Sequence, residues 1–190
     1  ENVVSDFYAT AIKVDNNDRT LMLAGSNGMI MSLKSTNGTW NEISTSSRNE
    51  IRGEDLTIEQ TPEGNWWVLT AAPYCLYRLD CTPSDTSYIQ YDRPKGLNSD
   101  TLNNIITIDK RLYVCTGKGL FRYNPDNDLF EKDNDLIGDT FRNTEIIRIQ
   151  KTPEGDICVS GYDGRYFDAL VTPTRQGHVV FRKQFDFLPN

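Results

Sequence analysis

The tetrapeptide Thr-Pro-Glu-Gly occurs twice in this chain, at Thr61–Gly64 and Thr152–Gly155, 91 residues apart. Each copy follows an alternating apolar stretch and precedes a nearly continuous one. Leu56 and Ile58 lead into the first copy, and Trp66-Trp67-Val68-Leu69 leaves it. Ile147 and Ile149 lead into the second, and Ile157-Cys158-Val159 leaves it. Two further stretches share the layout without the tetrapeptide. Ile106 and Ile108 precede Asp109-Lys110 and then Leu112-Tyr113-Val114-Cys115; Ile12 and Val14 precede Asn16-Asn17-Asp18 and then Leu21-Met22-Leu23-Ala24. The residue closing the second apolar run is Gly25, Thr70, Thr116 and Gly161, at spacings of 45, 46 and 45 residues. Such a period marks a chain that folds as a row of similar supersecondary units.

Three units reach a tight-turn signal at one offset: Asn27-Gly28, Lys118-Gly119 and Asp163-Gly164. These pairs predict type I′ hairpins, whose two central residues both need φ > 0. A third strand follows, such as Leu120-Phe121-Arg122-Tyr123, then a turn at Asn37-Gly38, Pro83, Pro125 or Pro173. Fourth strands are expected at Trp40–Ser44, Tyr88–Asp92, Leu129–Asp133 and Val179–Phe185. Four antiparallel strands per 45 residues predict an all-β fold of β-propeller blades. The expected blades span 7–44, 55–92, 101–133 and 145–185, within a single propeller segment covering 1–190. The second strands are apolar at nearly every position, as strands covered on both faces are. A β-sandwich gives no reason for so regular a period. Each blade is built from its own segment, with no terminal strand exchanged to lock a ring. An arc of a larger propeller is therefore favoured over a four-bladed ring.

Apolar residues make up 37% and charged residues 25% of the 190, the balance of a soluble globular chain. The net charge of −7 argues against nucleic acid and anionic membranes as partners, because both require a basic surface. No apolar run approaches the length of a membrane span, so no direct membrane contact is expected within the chain. It begins at Glu1 and shows no signal-peptide pattern, so a piece of a longer protein is expected.

Catalytic and metal chemistry find little support. The single histidine, His178, opens a predicted outer strand, and no Gly-x-Ser-x-Gly elbow accompanies it. Cys115 and Cys158 lie in apolar second strands and read as small buried residues. Cys75 and Cys81 flank one predicted strand, roughly 20 Å apart when extended, too far for a disulfide; a bridge between blades stays open. No Cys-x-x-Cys pair suggests zinc. Asp133-Asn134-Asp135-Leu136-Ile137-Gly138-Asp139 begins like a calcium loop but fails at Ile137 and Thr144, and reads as a solvated loop between blades. No catalytic residue, no metal site, no cofactor and no intrinsic turnover are expected.

A ligand is better served by the loops joining second to third strands, which gather at one rim of a propeller. Ala71-Ala72-Pro73-Tyr74-Cys75 is longer than its counterparts and brings Tyr74. The equivalent positions elsewhere offer Lys118, and Tyr162, Asp163 and Arg165. Departures from a regular scaffold are where binding residues gather. An aromatic platform among Lys, Asp and Arg suits a sugar, including an acidic one.

Gly96-Leu97-Asn98-Ser99-Asp100-Thr101-Leu102, with Leu112-Tyr113-Val114-Cys115-Thr116-Gly117-Lys118-Gly119-Leu120-Phe121-Arg122-Tyr123-Asn124, resembles the repeat of the two-component regulator propellers. Gly64-Asn65-Trp66-Trp67-Val68-Leu69-Thr70 and Leu76-Tyr77-Arg78-Leu79-Asp80 repeat the pattern; the first and last units match it more weakly, with Met22 and Cys158 at the aromatic position. The resemblance implies the periplasmic sensor region of a membrane histidine kinase, often a hybrid chain, responding to oligosaccharides released from complex glycans. It implies a parent chain with further blades and a kinase, none of whose segments occur here. It places Trp67 and Tyr113 in the core, with Trp67 packed between blades against Ile58 and Tyr113, and Trp66 of less consequence. A protein-interaction propeller, and more remotely a streptogramin-lyase-like enzyme, remain alternatives. The end faces of the arc, with Met22, Leu23, Met29 and Met31 at one end and Ile157, Val159, Tyr166 and Phe167 at the other, are expected to be exposed and to drive a homodimer.

Overall fold

The computed structural model describes residues 9–14, 20–25, 30–45, 51, 54–71, 73–81, 86–173 and 179–185. His178, Asn27-Gly28, Met29 and the side chains of Met22, Leu23 and Cys81 lie outside the described residues. Among the described residues, sixteen strands form four antiparallel sheets, each a meander whose neighbours in sequence are neighbours in space. The first sheet holds β1 (Ala9–Val14), β2 (Thr20–Gly25), β3 (Ile30–Thr36) and β4 (Thr39–Thr45). The second holds β5 (Glu54–Gln60), β6 (Trp66–Ala71), β7 (Cys75–Cys81) and β8 (Thr86–Tyr91). The third holds β9 (Leu102–Ile108), β10 (Arg111–Thr116), β11 (Gly119–Asn124) and β12 (Leu129–Asp133). The fourth holds β13 (Glu145–Lys151), β14 (Ile157–Tyr162), β15 (Tyr166–Pro173) and β16 (Val179–Phe185). These are the repeated four-stranded blades of a propeller-like fold. The chain divides into two compact units, Glu1–Tyr91 and Asp92–Asn190, of two blades each.

The two Thr-Pro-Glu-Gly copies make the same turn. Gly64 donates its N–H to Thr61 O at 2.9 Å, and Gly155 to Thr152 O at 3.0 Å. Thr61 and Thr152 then donate to Asn65 O and Asp156 O, at 3.0 and 2.8 Å. Proline presets φ at the second position, and the glycines take φ of +90° and +94°, which a side chain resists. Of the expected type I′ turns, the two on described residues, Lys118-Gly119 and Asp163-Gly164, take other forms, and type I′ geometry appears at other turns. Asn37-Gly38 joins β3 to β4 with φ of 52° and 78°, and Asp109-Lys110 joins β9 to β10 with φ of 47° and 67°. Between β10 and β11 the turn residues are Gly117-Lys118; Lys118 is not in the left-handed region, and Gly119 opens β11 at φ +107°. Asp163-Gly164 is part of a three-residue loop with Arg165, since Tyr162 pairs with Tyr166.

In the first unit, Ile58, Trp66, Val68, Tyr77 and Leu79 of the second sheet pack with Ile30 of the first, Ile51 joining them. Lys13 Nζ donates to Glu59 Oε1 at 2.7 Å across the same junction, so the buried Glu59 carboxylate has its counter-charge. The expectation for the tryptophans is corrected here. Successive side chains on a strand point to opposite faces. Trp66, not Trp67, shares a face with Ile58 and Val68. Trp67 is fully buried on the other face, its ring 4.7 Å from Tyr91 and with the Arg78 guanidinium 6.0 Å from its centroid. Tyr113 belongs to the core of the second unit.

That core joins the third and fourth sheets through Ile108, Tyr113, Cys115, Leu120, Ile146, Ile149, Ile157, Val159, Phe167 and Val171. Asn103 Nδ2 donates to Ile146 O at 2.9 Å, aligning the starts of β9 and β13. Ile157, Val159 and Phe167 are thus interior and not an end face; Phe167 stacks on Phe141 at 5.5 Å. Met31 in the first unit is also buried. Among the expected end-face residues whose side chains are described, Tyr166 alone is open, at 72% exposure. The Asp133–Asp139 stretch is less solvated than expected. Asp133 is buried, pairs with Arg122 Nη1 at 3.3 Å and accepts the Leu136 N–H at 3.0 Å, while Ile137 enters the core. Its carboxylate is committed to holding the loop. Cys75, Cys115 and Cys158 are free thiols, and Cys158 is exposed where a buried residue was expected.

Trp66→Ala and Trp67→Ala should each cost about 3–5 kcal/mol, as buried aromatics do, with urea unfolding as the measurement; equal midpoints for Trp66→Ala and the parent chain would refute the packing of the first unit. A Cβ at Gly161 would lie 2.5 Å from Glu145 O and 2.6 Å from Phe167 Cζ. Gly161→Ala should therefore destabilise by about 2–3 kcal/mol in the same assay, since overpacking forces ring and backbone apart.

Candidate functional site

One end of the second unit gathers four of the five residues singled out from sequence. The Gly117 N–H donates to Thr101 O at 3.2 Å, tying the β10–β11 turn to the start of β9. The Asn103–Ile146 bond aligns the start of β13, and Glu145 there pairs with Tyr162 at the end of β14. The β10–β11 and β14–β15 turns therefore project from the same end of adjacent sheets.

A buried threonine builds the first of these turns. The Thr116 hydroxyl donates to Gly119 O at 2.8 Å and accepts the Lys118 N–H at 3.0 Å. The clasp holds the turn from inside, and the Lys118 side chain is exposed. The first unit repeats the device on its longer loop: the Thr70 hydroxyl donates to Pro73 O at 2.7 Å and accepts the Cys75 N–H at 3.2 Å. Tyr74 stands beside that clasp at 48% exposure, within the first unit.

Gly161 replaces the threonine in the fourth sheet, and a different turn results. Asp163 N–H donates to Arg165 O at 3.0 Å, and Gly164 takes φ of +73°. The three-residue loop sets Tyr162 opposite Tyr166, with ring centroids 5.1 Å apart at 62°. Both rings are open to solvent. Exposed Asp163 and Arg165 lie between them in sequence, so one hairpin tip combines two aromatic faces, an anion and a cation.

Sequence reasoning missed Tyr166 as a site residue. With Asp163-Gly164 as a two-residue turn, Tyr162 would oppose Arg165, and Tyr166 would point to the other face. One more loop residue reverses every side chain of β15. The register that sets Phe167 opposite Gly161 and Tyr166 opposite Tyr162 leaves no local mark in the sequence, because it rests on the packing of Phe167 over Gly161 and against Phe141.

The charges at this end are uneven. Arg93 bonds and faces Asp100, holding its carboxyl below the usual range, with a smaller contribution from Lys118. Lys132 and Arg142 lie close to the Lys118 turn and are both exposed. Neither stood out in the sequence, because they come from β12 and from the loop before β13.

No protein-family model matches the chain, and no curated protein sequence matches it. Solved structures do. The extracellular domain of a putative hybrid two component system from B. thetaiotaomicron aligns with 92% of this chain and 23% of its own length, at TM-score 0.63 and 18% identity. A second such domain from B. thetaiotaomicron aligns over 84% of this chain and 21% of its own length, at TM-score 0.57 and 15% identity. YCF48, solved bound to D1 peptide, aligns over 88% of this chain and 50% of its own length, at TM-score 0.54 and 17% identity. Likeness at these identities establishes a shared propeller-like fold. The chain spans less than a quarter of either two-component domain. None of its described helices is long and apolar enough to cross a membrane.

The thiols give a direct check on the description. Burial pushes the Cys115 thiol up to about 12, while Cys158 is exposed. A maleimide at pH 8 should modify Cys158 within minutes and Cys115 only after unfolding, as read by peptide mass mapping. Equal labelling of both in the folded chain would contradict the junction between the third and fourth sheets.

Proposed function

We propose that this chain is a ligand-sensing segment from the extracytoplasmic part of a bacterial two-component sensor histidine kinase, and that it takes an oligosaccharide released from a complex glycan. The observation that carries the reading is the open Tyr162–Tyr166 pair with Asp163 and Arg165 at the same hairpin tip. A pyranose presents an apolar C–H face and a rim of hydroxyls. The electron-rich faces of two tyrosines meet the first, and a carboxylate and a guanidinium bond the second. Support comes from the repeat motif and from the fold shared with two extracellular two-component domains. Periplasmic placement and the further blades of a longer parent chain belong to the same reading. The absence of a recognisable catalytic set makes binding without turnover the expected behaviour.

A second reading rests on the same hairpin. Exposed tyrosines and an Arg are also common anchors for peptides, and YCF48, which shares the fold, was solved with a peptide bound. The two readings differ in the ligand and not in the surface.

Calorimetric titration with xylo-, arabino- and galacturono-tetraose should reveal saturable binding of at least one. Tyr166→Ala should weaken it by about tenfold or more, the loss of one well-packed contact of roughly 1.4 kcal/mol. The variant should unfold at the same urea concentration as the parent, because the ring is open. Binding that is unchanged in Tyr162→Ala and Tyr166→Ala would move the site elsewhere. Binding of no saccharide, with retention of a tyrosine-dependent peptide, would favour the second reading.

A further inference from the structure

Lys118, Lys132 and Arg142 come from three different segments of the second unit and converge on Gly119. A Cβ on Gly119 would lie 3.3 Å from Lys132 Cε and 2.7 Å from Arg142 O, so the lysine stem and the loop backbone both press on this turn. Lys118 is the adjacent turn residue, and Lys132 Nζ donates to Asn143 Oδ1 at 2.8 Å, next along the loop from Arg142. Among the described residues, none of the three cations forms an ion pair with a carboxylate. Four nearby acids have other partners. Asp100, which faces Lys118, is paired with Arg93. Asp133 is buried against Arg122 at 3.3 Å. Glu131 accepts from Asn124 and Asn127, each at 2.9 Å, and Glu145 from Asn103 at 3.3 Å. In a chain of net charge −7, three cations gathered with no carboxylate in ion-pair contact repel one another, and a bound anion would relieve that repulsion.

We infer that Lys118, Lys132 and Arg142 form an anion subsite at this end of the third sheet, which takes a carboxylate or sulfate group of the ligand. Lys132 is consistent with it: partial burial, then Arg142, then Lys118 hold its ammonium below the usual lysine range, as expected where positive charge is crowded. The subsite projects from the same end of the unit as the Tyr162–Tyr166 hairpin, so the inference rests on the oligosaccharide reading and narrows it to acidic saccharides. The two ligand groups differ in source: a uronic acid supplies a carboxylate, a sulfate ester a sulfate.

The test titrates the whole chain with tetragalacturonate, a chondroitin sulfate tetrasaccharide and neutral cellotetraose at fixed ionic strength. At least one acidic ligand should bind tenfold or more tighter than cellotetraose. Lys118→Gln with Arg142→Gln should erase that preference, the loss of affinity for the acidic ligand exceeding any loss for cellotetraose. Preference for tetragalacturonate identifies a carboxylate subsite, and preference for the chondroitin ligand alone a sulfate subsite. Equal binding of acidic and neutral ligands, or a preference untouched by the double variant, overturns the inference. If no saccharide binds, inorganic sulfate separates the two ideas by amide chemical shifts. Saturable shifts at Lys118 and Asn143 that the double variant loses would keep the anion subsite while the sugar reading falls; no shifts would overturn the subsite as well.

Discussion

A four-stranded meander in water has two faces, and in the second and third sheets the second strand is apolar on both. Trp66 through Thr70 in β6 and Leu112 through Thr116 in β10 are buried without a break. No single sheet can satisfy such a strand, so each must lie against another. The first and second sheets meet through Ile30, Ile58 and Val68, and the third and fourth through Tyr113, Cys115, Ile149 and Val159. This face-to-face burial of strands, at roughly 25 cal/mol per Å² of apolar surface, holds the repeats together. The ends of the strands make no such contribution to packing and can vary.

The variation is ordered. At four of the strand junctions a local device holds the turn: the Thr-Pro-Glu-Gly turn with its pair of backbone bonds, or the buried threonine that clasps the following turn. Because the clasp closes the backbone from inside, the residues at the tip keep their side chains free. Lys118 and Tyr74 are presented in this way. Where Gly161 replaces the threonine there is no clasp, the loop grows to three residues, and two tyrosines face each other across it. The same substitution opens the space that Phe167 fills, so one glycine links the core of the second unit to its candidate binding surface.

Charge follows the same division. Glu59 and Asp133 are buried acids, and each has a cation and a defined place in the fold, because an unpaired charge away from water is expensive. The cations at the end of the third sheet have no such structural role among the described residues. They are exposed, they crowd one another, and Asp100, Asp133 and Glu131 nearby are held by Arg93, Arg122 and asparagine amides. Chemistry left over after folding is the chemistry available to a ligand.

The period of 45 residues, the four strands per unit and the burial of β6 and β10 were legible in the sequence, because turn residues and apolar runs act locally and repeat. So was the position of the candidate turns, since a loop that departs from its counterparts can be seen by alignment of the units with one another. Loop length at the fourth sheet was not legible. Asp-Gly permits a two-residue or a three-residue turn, and only the packing of Phe167 over Gly161 and against Phe141 selects the register that turns Tyr166 outward. The face taken by each of the adjacent tryptophans was likewise undecided until β6 was set against the first sheet. The gathering of Lys118, Lys132 and Arg142 was invisible for a simpler reason. Residues from a turn, a strand end and a loop become neighbours only when the chain has folded back on itself, and no local pattern encodes that meeting.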